Sequence, residues 1–157
     1  MSFVSGSYTA TYGGSSIGTT EDGYRVQVQQ HHEDIRTDDY GDVPVDGVQR
    51  GVSYQVTLVG MEYNLVKAAM AKQASALGES KTNVGKLLSG LAASLVLTAT
   101  SGTPADTAGN IRSLTATKAI LITDFELLLA SRVRKGPLTF RLLPDPAVGG
   151  GKAYVET

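Results

Sequence analysis

The sequence "YRVQVQ", residues 24–29, alternates apolar and polar side chains one by one. Such alternation is typical of a β-strand that packs one face and leaves the other in water. Residues 8–12 and 53–59 repeat the pattern, with tyrosine and aliphatic side chains on one face. The first third of the chain is therefore predicted to form antiparallel strands, and the acidic residues and glycine at 21–23 predict a turn before the second strand.

The remaining two thirds of the chain predict further strands and one helix. Residues 95–100 and 113–123 are predicted to pair as a hairpin. Residues 125–129 and 138–143 are predicted to form a second pair, which turns near residues 135–137. The tail is predicted to form a turn and a short final strand. A 3.6-residue apolar period predicts a helix over residues 64–77, with Asn64 as its N-cap. The predicted fold class is mainly β: a single domain over residues 1–157, built as an antiparallel β-sandwich or barrel with one flanking α-helix and a long extended loop.

The extended loop is predicted at about residues 30–51, a length that is usually functional or disordered. It contains "DDYGDVPVDGVQRG" at residues 38–51, and its candidate contact residues are Glu33, Asp34, Asp38, Asp39, Asp42, Pro44, Asp46 and Arg50. A helix–loop–helix calcium loop needs Gly at the sixth position and Glu at the twelfth, but counting from Asp38 these are Val43 and Gln49. The acids therefore predict an arm that contacts another protein, and an irregular cation site stays open.

No set of residues in the sequence predicts catalysis or a cofactor. His31 and His32 are neighbours, so on a strand they point to opposite faces, and the chain has neither a third histidine nor any cysteine for zinc. Residues 14–18 match Gly-x-Ser-x-Gly, but they lie between two predicted strands, whereas the nucleophile elbow of hydrolases joins a strand to a helix. Residues 78–90 lack the spacing of a phosphate-binding loop. We expect no catalytic residue, no metal and no cofactor, and so a protein that is not an enzyme.

Charge is distributed unevenly along the chain. Residues 1–62 carry a formal charge of −6 and residues 63–157 one of +5, for a net charge of −1. Copies could meet head to tail through these halves, or both signs could simply be solvated surface. Neither half is basic enough to predict sequence-specific DNA binding, and the uncharged stretch of residues 87–105 is too polar to predict a membrane span. The absence of cysteine fits assembly in a reducing cytoplasm.

Two motifs carry a resemblance to a known family. The first is a Gly-x-Thr-x-x-Gly turn that leads into a strand, matched by Gly18, Thr19, Thr20, Asp22 and Gly23. The second is an extended Asp-x-x-Gly-x-x-Pro-x-Asp loop, matched by Asp38 or Asp39, Gly41, Pro44, Asp46 and Gly51. With "LTFRLLPDPA" at residues 138–147, they resemble the tail tube (major tail) proteins of long-tailed bacteriophages. The resemblance covers about the first 60 residues and the late strand. The same loose motifs occur in tail terminator, head–tail joining and baseplate tube proteins and in type VI secretion tubes.

The resemblance implies a structural virion protein that forms hexameric rings, which stack into the tube through which DNA is ejected. Its implied partners are other copies of itself, the tape measure protein and tail-end proteins. DNA passes through the lumen without specific binding, no membrane is involved, and a contractile sheath is left open. The implied location is the virion tail, after synthesis in the host cytoplasm.

The resemblance also assigns roles to the arm and to the wet strand faces. The arm would reach a neighbouring subunit or ring. A channel wall should hold DNA weakly, and phosphate contacts by basic residues supply most non-specific affinity. We therefore expect a mostly neutral polar face to line the lumen, formed by Arg25, Gln27, Gln29, Gln55 and Thr57. The opposite faces of these strands are expected to pack inward, through Tyr24, Val26, Val28, Tyr54, Val56 and Leu58. One alternative for the polar face is an outer surface. Two alternatives for the protein are a connector of the same fold and an enzyme or ligand-binding β-sandwich.

Overall fold

A computed structural model of the chain describes residues 7–61, 64–65, 85, 87–103, 112–122 and 136–157. The described residues form seven strands: β1 (Tyr8–Tyr12), β2 (Ser15–Ile35), β3 (Asp46–Gly60), β4 (Ala93–Ala99), β5 (Ser113–Leu121), β6 (Gly136–Leu142) and β7 (Val155–Glu156). All of their pairings are antiparallel. The prediction of a mainly β, antiparallel chain is therefore confirmed.

Six of these strands close into a barrel. The order β4-β1-β2-β3-β6-β5 returns to its start because β5 also pairs with β4, and β7 adds to β5 alongside Leu114 and Thr115. Where the strands of the barrel pair on both sides, they leave no edge for another chain to pair with. Of the two architectures left open by the sequence, sandwich or barrel, the chain adopts the barrel.

The strand predictions for the second half of the chain meet different outcomes. The predicted hairpin of β4 with β5 is confirmed, as is the short final strand β7. Residues 136 and 137 were predicted within a turn, but they begin β6, which pairs with β3 and β5. Its predicted partner, residues 125–129, lies outside the described residues. Of the predicted helix at residues 64–77, Asn64 and Leu65 are helical and the rest also lies outside the described residues.

The barrel interior is a continuous apolar core. Its buried members are Ala10, Tyr12, Ile17, Val56, Leu58, Leu95, Leu97, Leu114, Ala116, Ala119, Leu121, Leu138, Phe140, Leu142 and Ala153. Phe140 is fully buried, and its ring centroid lies 4.9 Å from that of Tyr12. The Tyr12 hydroxyl donates a hydrogen bond to the Ala119 carbonyl at 3.2 Å, so the polar end of this buried ring is satisfied.

A bulge in β5 keeps its apolar side chains inside the barrel. Leu95 pairs with Ala116, but Ala93 pairs with Ala119, so β5 has one more residue than β4 over this step. Without that extra residue, strict alternation would turn Ala119 and Leu121 outward. The bulge resets the alternation, and both side chains are buried.

The turn predicted at residues 21–23 is a bulge inside one long strand. Glu21 pairs with Val59 and Tyr24 with Leu58, so two residues of β2 lie opposite no residue of β3. Gly23 sits at this bulge with a φ of +73°, a left-handed conformation that L side chains rarely adopt. The prediction of a turn is wrong because the same residue types that favour turns also favour bulges.

Replacing Gly23 with alanine is expected to destabilise the protein by about 1–2 kcal/mol, because a Cβ makes this left-handed backbone conformation unfavourable. The new Cβ would also lie 3.4 Å from Cδ2 of Tyr8, an ordinary contact that adds little. Urea denaturation would measure the difference. The matched control is Gly149→Ala, where no atom lies within 4 Å of the new Cβ and φ is not left-handed. Equal stabilities of the two variants would contradict the role of the bulge.

Candidate interaction surface

The β2–β3 hairpin extends beyond the barrel. β6 pairs with β3 only from Tyr54 onward, and β1 pairs with β2 only over its first residues, up to Thr19. Residues 29–53, which we call the arm, therefore have no other described strand beside them. The segment predicted as an extended loop is instead a hairpin. Seven residues of β2 project in the arm, a length of roughly 23 Å at the usual rise per residue.

Only residues 36–45, at the tip of the arm, lie outside its two strands. The tip contains a short 3-10 helix at Asp38–Tyr40, and Gly41 follows it with a φ of +60°. The chain then turns back through Pro44 into β3. The second motif of the sequence, from Asp38 to Asp46, therefore forms the tip.

The arm is exposed along almost its whole length. Every residue from 27 to 50 is exposed, so within the described residues neither face of this part of the hairpin packs on the barrel. The exposed apolar side chains on and beside the arm are Val28, Ile35, Tyr40, Val43, Val45, Val48 and Val52. Single exposed apolar residues are ordinary, but a concentration of them on one projection is typical of a surface that another protein covers.

Both strands of the arm have an unpaired outer edge in the described part of the chain. No described strand pairs with the outer edge of β2 over residues 24–35, or with that of β3 over residues 46–53. Such edges present backbone N–H and C=O groups that can pair with another chain. A two-stranded ribbon is also only marginally stable by itself in water. The arm thus has the properties of a strand-pairing element without a partner.

The arm carries six carboxylates and two arginines, a formal charge of −4 with neutral histidines. Arg50 forms an ion pair with Glu33 across the two strands, and at the tip Arg36 Nη1 lies 4.0 Å from Asp42 Oδ1. Asp46 accepts a hydrogen bond from the backbone N–H of Gly47. The structure thus places all eight predicted contact residues on the arm, exposed to solvent. Its unneutralised acids favour a basic partner surface.

The two histidines of the arm contact different neighbours. His31 Nε2 lies 3.0 Å from the Ser53 hydroxyl, whereas His32 Nε2 lies 3.9 Å from Asp34 Oδ1. The described residues contain no group of three or more His, Cys, Asp or Glu side chains that could hold a metal ion.

A second surface is formed where β2, β3 and β6 run side by side. Arg25, Thr57 and Thr139 are aligned in one row across the three strands, and Gln27, Gln55 and Arg141 in another. We call this surface the amide face; its members are Arg25, Gln27, Gln29, Ser53, Gln55, Thr57, Thr139 and Arg141. The five residues predicted to share one polar face do so, and each is exposed or half-buried.

The opposite face of the same strands packs inward, as its apolar pattern predicts, except at Val28. Val56 and Leu58 belong to the core, and Tyr24, Val26 and Tyr54 pack against it. Val28 was predicted to face inward but is 50% exposed. Val28 pairs with Tyr54, the last residue of β3 that has β6 beside it, so Val28 lies at the end of the barrel where the arm begins.

Tyrosine rings anchor the base of the arm. The ring centroids of Tyr8 and Tyr24 are 5.0 Å apart in an edge-to-face contact, and those of Tyr54 and Tyr154 are 5.4 Å apart. Such pairs contribute about 0.5–1.5 kcal/mol beyond their buried area. Burial, reinforced by nearby Tyr8 and Glu156, raises the pKa of Tyr24 to about 12. The anchor therefore stays uncharged at physiological pH.

Sequence reasoning missed the contribution of β6 to the amide face. The alternation in "LTFRL" indicates that Thr139 and Arg141 point away from Leu138, Phe140 and Leu142. It does not indicate that β6 pairs with β3, which is more than 75 residues away in sequence. Arg141 is therefore a second arginine on a face that was expected to contain one.

None of the described helices is long and apolar enough to cross a membrane. No protein-family model matches the chain, and no curated protein matches it either.

Proposed function

We propose that this chain is the structural subunit of a bacteriophage tail tube, which assembles into hexameric rings that stack into a conduit for DNA ejection. The observation that carries the proposal is the arm, a hairpin that is exposed from residue 29 to residue 50 and carries several exposed valines and a net charge of −4. No described strand pairs with the outer edges of the arm. These properties are unfavourable for a projection in water and favourable for one that lies against another subunit.

The closed barrel supports this interpretation of the arm. The core is complete inside the barrel, and residues 27–50 of the hairpin bury no side chain in it. The arm is therefore not explained by the stability of the subunit itself. Contact between the arm of one copy and a different surface of the next is a heterologous contact, which closes into a ring when the rotation between copies permits it.

The positions of the resembling motifs support the same proposal. The Asp-x-x-Gly-x-x-Pro-x-Asp motif coincides with the exposed tip, and the Gly-x-Thr-x-x-Gly motif ends at the bulge of Gly23. The second motif therefore belongs to the projecting hairpin, and the first motif ends at the bulge near the base of that hairpin. A subunit of this kind needs no catalytic group, no metal and no cofactor, and we propose none.

Converting Asp38, Asp39, Asp42 and Asp46 together to asparagine is expected to weaken assembly and leave the fold of the monomer intact. Exposed ion pairs are worth about 0.2–1 kcal/mol each, so four of them contribute roughly 2 kcal/mol per subunit. The protein concentration needed for assembly should therefore rise about 30-fold, and its dependence on salt should decrease. Sedimentation at several protein and salt concentrations would measure both effects.

The control for the acidic variant is Glu156→Gln, which removes an exposed acid of β7, outside residues 29–53. Assembly of the quadruple variant at the wild-type concentration and salt dependence would contradict a role for the arm acids. If calcium or magnesium restores assembly of the wild-type protein after chelation, the acids bind a cation instead.

Electron microscopy of the concentrated protein separates the proposed tube from its alternatives. Stacked rings or tubes are the expected result. Single closed rings that never stack would favour a connector of the same architecture, such as a terminator or joining protein. A protein that stays monomeric at all concentrations would contradict both and favour a ligand-binding domain.

A further inference from the structure

The amide face contains an open groove near the base of the arm. Its volume is ≈ 440 Å³, and it is lined by Gln29, His31, Ser53, Gln55, Ile122 and Arg141. Arg141 lies opposite Gln55, and Gln29 lies opposite Ser53 two residues away along β3, so side chains from three strands meet in two adjacent rows. A groove of this size is in the range of small-molecule sites.

Arg141 gives the groove a fixed positive charge. The lining includes no carboxylate, and Arg141 forms no salt bridge with a described residue. Acids near the ends of these strands are placed elsewhere: Glu33 pairs with Arg50, Asp145 Oδ1 lies 3.7 Å from Lys118 Nζ, and Glu21 lines a separate cavity. The Arg141 guanidinium is exposed, and its parallel N–H donors match a single carboxylate of a ligand.

The other polar groups of the groove both donate and accept hydrogen bonds. Gln29 and Gln55 each present an amide N–H₂ and a carbonyl oxygen. The Ser53 hydroxyl lies 3.0 Å from His31 Nε2, and either group can be the donor because the histidine tautomer decides the roles. Sugar hydroxyls match such groups, since each hydroxyl also donates and accepts. An inorganic oxyanion offers acceptors, so it would leave the carbonyl oxygens of the groove unpaired.

Ile122 adds an apolar part to the groove. It follows β5, and its backbone N–H donates a hydrogen bond to the Thr139 carbonyl at 2.9 Å, which holds it beside β6. Its side chain is 43% exposed. The C–H face of a sugar ring can cover this side chain while the ring hydroxyls bond to the amides, a combination of apolar and polar contacts that is typical of small-molecule sites.

We propose that this groove binds a sugar acid, a pyranose ring that carries one carboxylate. Arg141 binds the carboxylate, the two glutamines and Ser53 bind the hydroxyls, and Ile122 contacts the ring. The inference goes beyond the proposed function and does not depend on it, because one subunit supplies every lining residue. A ligand of this size, bound with ordinary affinity per atom, has a Kd on the order of 1 mM.

The test titrates glucuronate into the isotope-labelled full chain, at a protein concentration below assembly, and follows the backbone amide signals by NMR. Glucose is the matched neutral ligand, because it has a CH₂OH group where glucuronate has its carboxylate. We expect glucuronate to bind about tenfold more tightly than glucose, since a hydrogen bond to a charged group adds this much affinity. The shifted signals should be concentrated at the residues that line the groove.

Three variants assign the contacts. Arg141→Gln should weaken glucuronate binding about tenfold and leave glucose binding unchanged. Ser53→Ala should weaken the binding of both ligands, because it removes a hydroxyl that bonds to the ring. The matched control Arg25→Gln removes an exposed arginine of the amide face that does not line the groove, so it should bind as the wild type does. None of the three side chains is buried, and the amide spectra would confirm that each variant is folded.

Three results would overturn the inference. They are equal affinities for glucuronate and glucose, unchanged glucuronate binding by Arg141→Gln, and displacement of glucuronate by equal concentrations of acetate or inorganic phosphate, which would indicate a simple anion site. Electron microscopy of the same protein keeps the two proposals apart. Tubes formed by a chain that does not bind glucuronate would overturn the sugar-acid site alone. Glucuronate binding by a chain that never forms rings would contradict the tube and support the site.

Discussion

A variant in which Asn-Gly replaces residues 29–53 is expected to remain a folded monomer and to lose all ability to assemble. Val28 and Tyr54 are paired across the hairpin, so a two-residue turn can join them, and Asn-Gly favours the tight turn that such a connection needs. The barrel should keep its stability because the residues from 29 to 50 are all exposed. Circular dichroism would report the fold, and sedimentation with electron microscopy would report assembly.

A second variant distinguishes two ways in which the arm can bind a neighbour, burial of its apolar side chains and strand pairing at its edges. Replacing Val28, Val48 and Val52 with serine keeps the hairpin and its edges but removes three exposed apolar side chains. Each contributes about 1.5 kcal/mol or more if a neighbour buries it fully, so assembly should require a far higher protein concentration.

Two outcomes would contradict the expectation for the Asn-Gly variant. Tubes formed by the Asn-Gly variant at the wild-type concentration would show that association uses a different surface. A truncated chain that fails to fold would show that the arm supports the barrel.

Phe140→Ala is expected to destabilise the monomer by about 3–5 kcal/mol, which is the usual cost of removing a buried phenylalanine. Phe140 is fully buried in the barrel interior, and its loss leaves a cavity beside Tyr12. For a chain of this length the melting temperature should fall by roughly 12 °C. Differential scanning calorimetry at a concentration below assembly would measure the change.

The control for the core variant is Thr98→Ala on β4, an exposed position whose substitution should change stability by less than about 1 kcal/mol. A melting temperature of Phe140→Ala close to that of the wild type would mean that the barrel interior repacks around the missing ring. That result would contradict the tight core described above.

Local alternation made the central strands and their faces predictable from sequence. Residues 24–29 and 53–59 each alternate strictly, so the polar side chains of both strands were expected on one side, where the register places them. The full extent of β2 was not predictable, because the bulge at Gly23 and the second irregularity between His31 and His32 interrupt the alternation. The arm strands also lack alternation, since neither of their faces is packed.

Pairing between distant strands was beyond what local patterns contain. The sequence indicates that residues 138–143 form a strand, but the choice of β3 and β5 as its neighbours depends on the packing of Phe140 and Leu142 inside the barrel. The same limit applies to Arg141, whose place on the amide face follows only from that pairing. The barrel closes because β4 pairs with β5 as well as with β1, and this long-range pairing distinguishes a barrel from a sandwich.

Closure of the barrel within one chain has a consequence for the rate at which the proposed tube assembles. Because the core needs no side chain from a neighbour, subunits can accumulate in folded form, and folding and association become separate steps. Under the proposed function, ring formation then resembles a nucleated polymerisation, with a lag phase and a critical concentration set by the arm alone. Under the proposed function, a pool of folded subunits speeds growth of the tube once the first ring has formed.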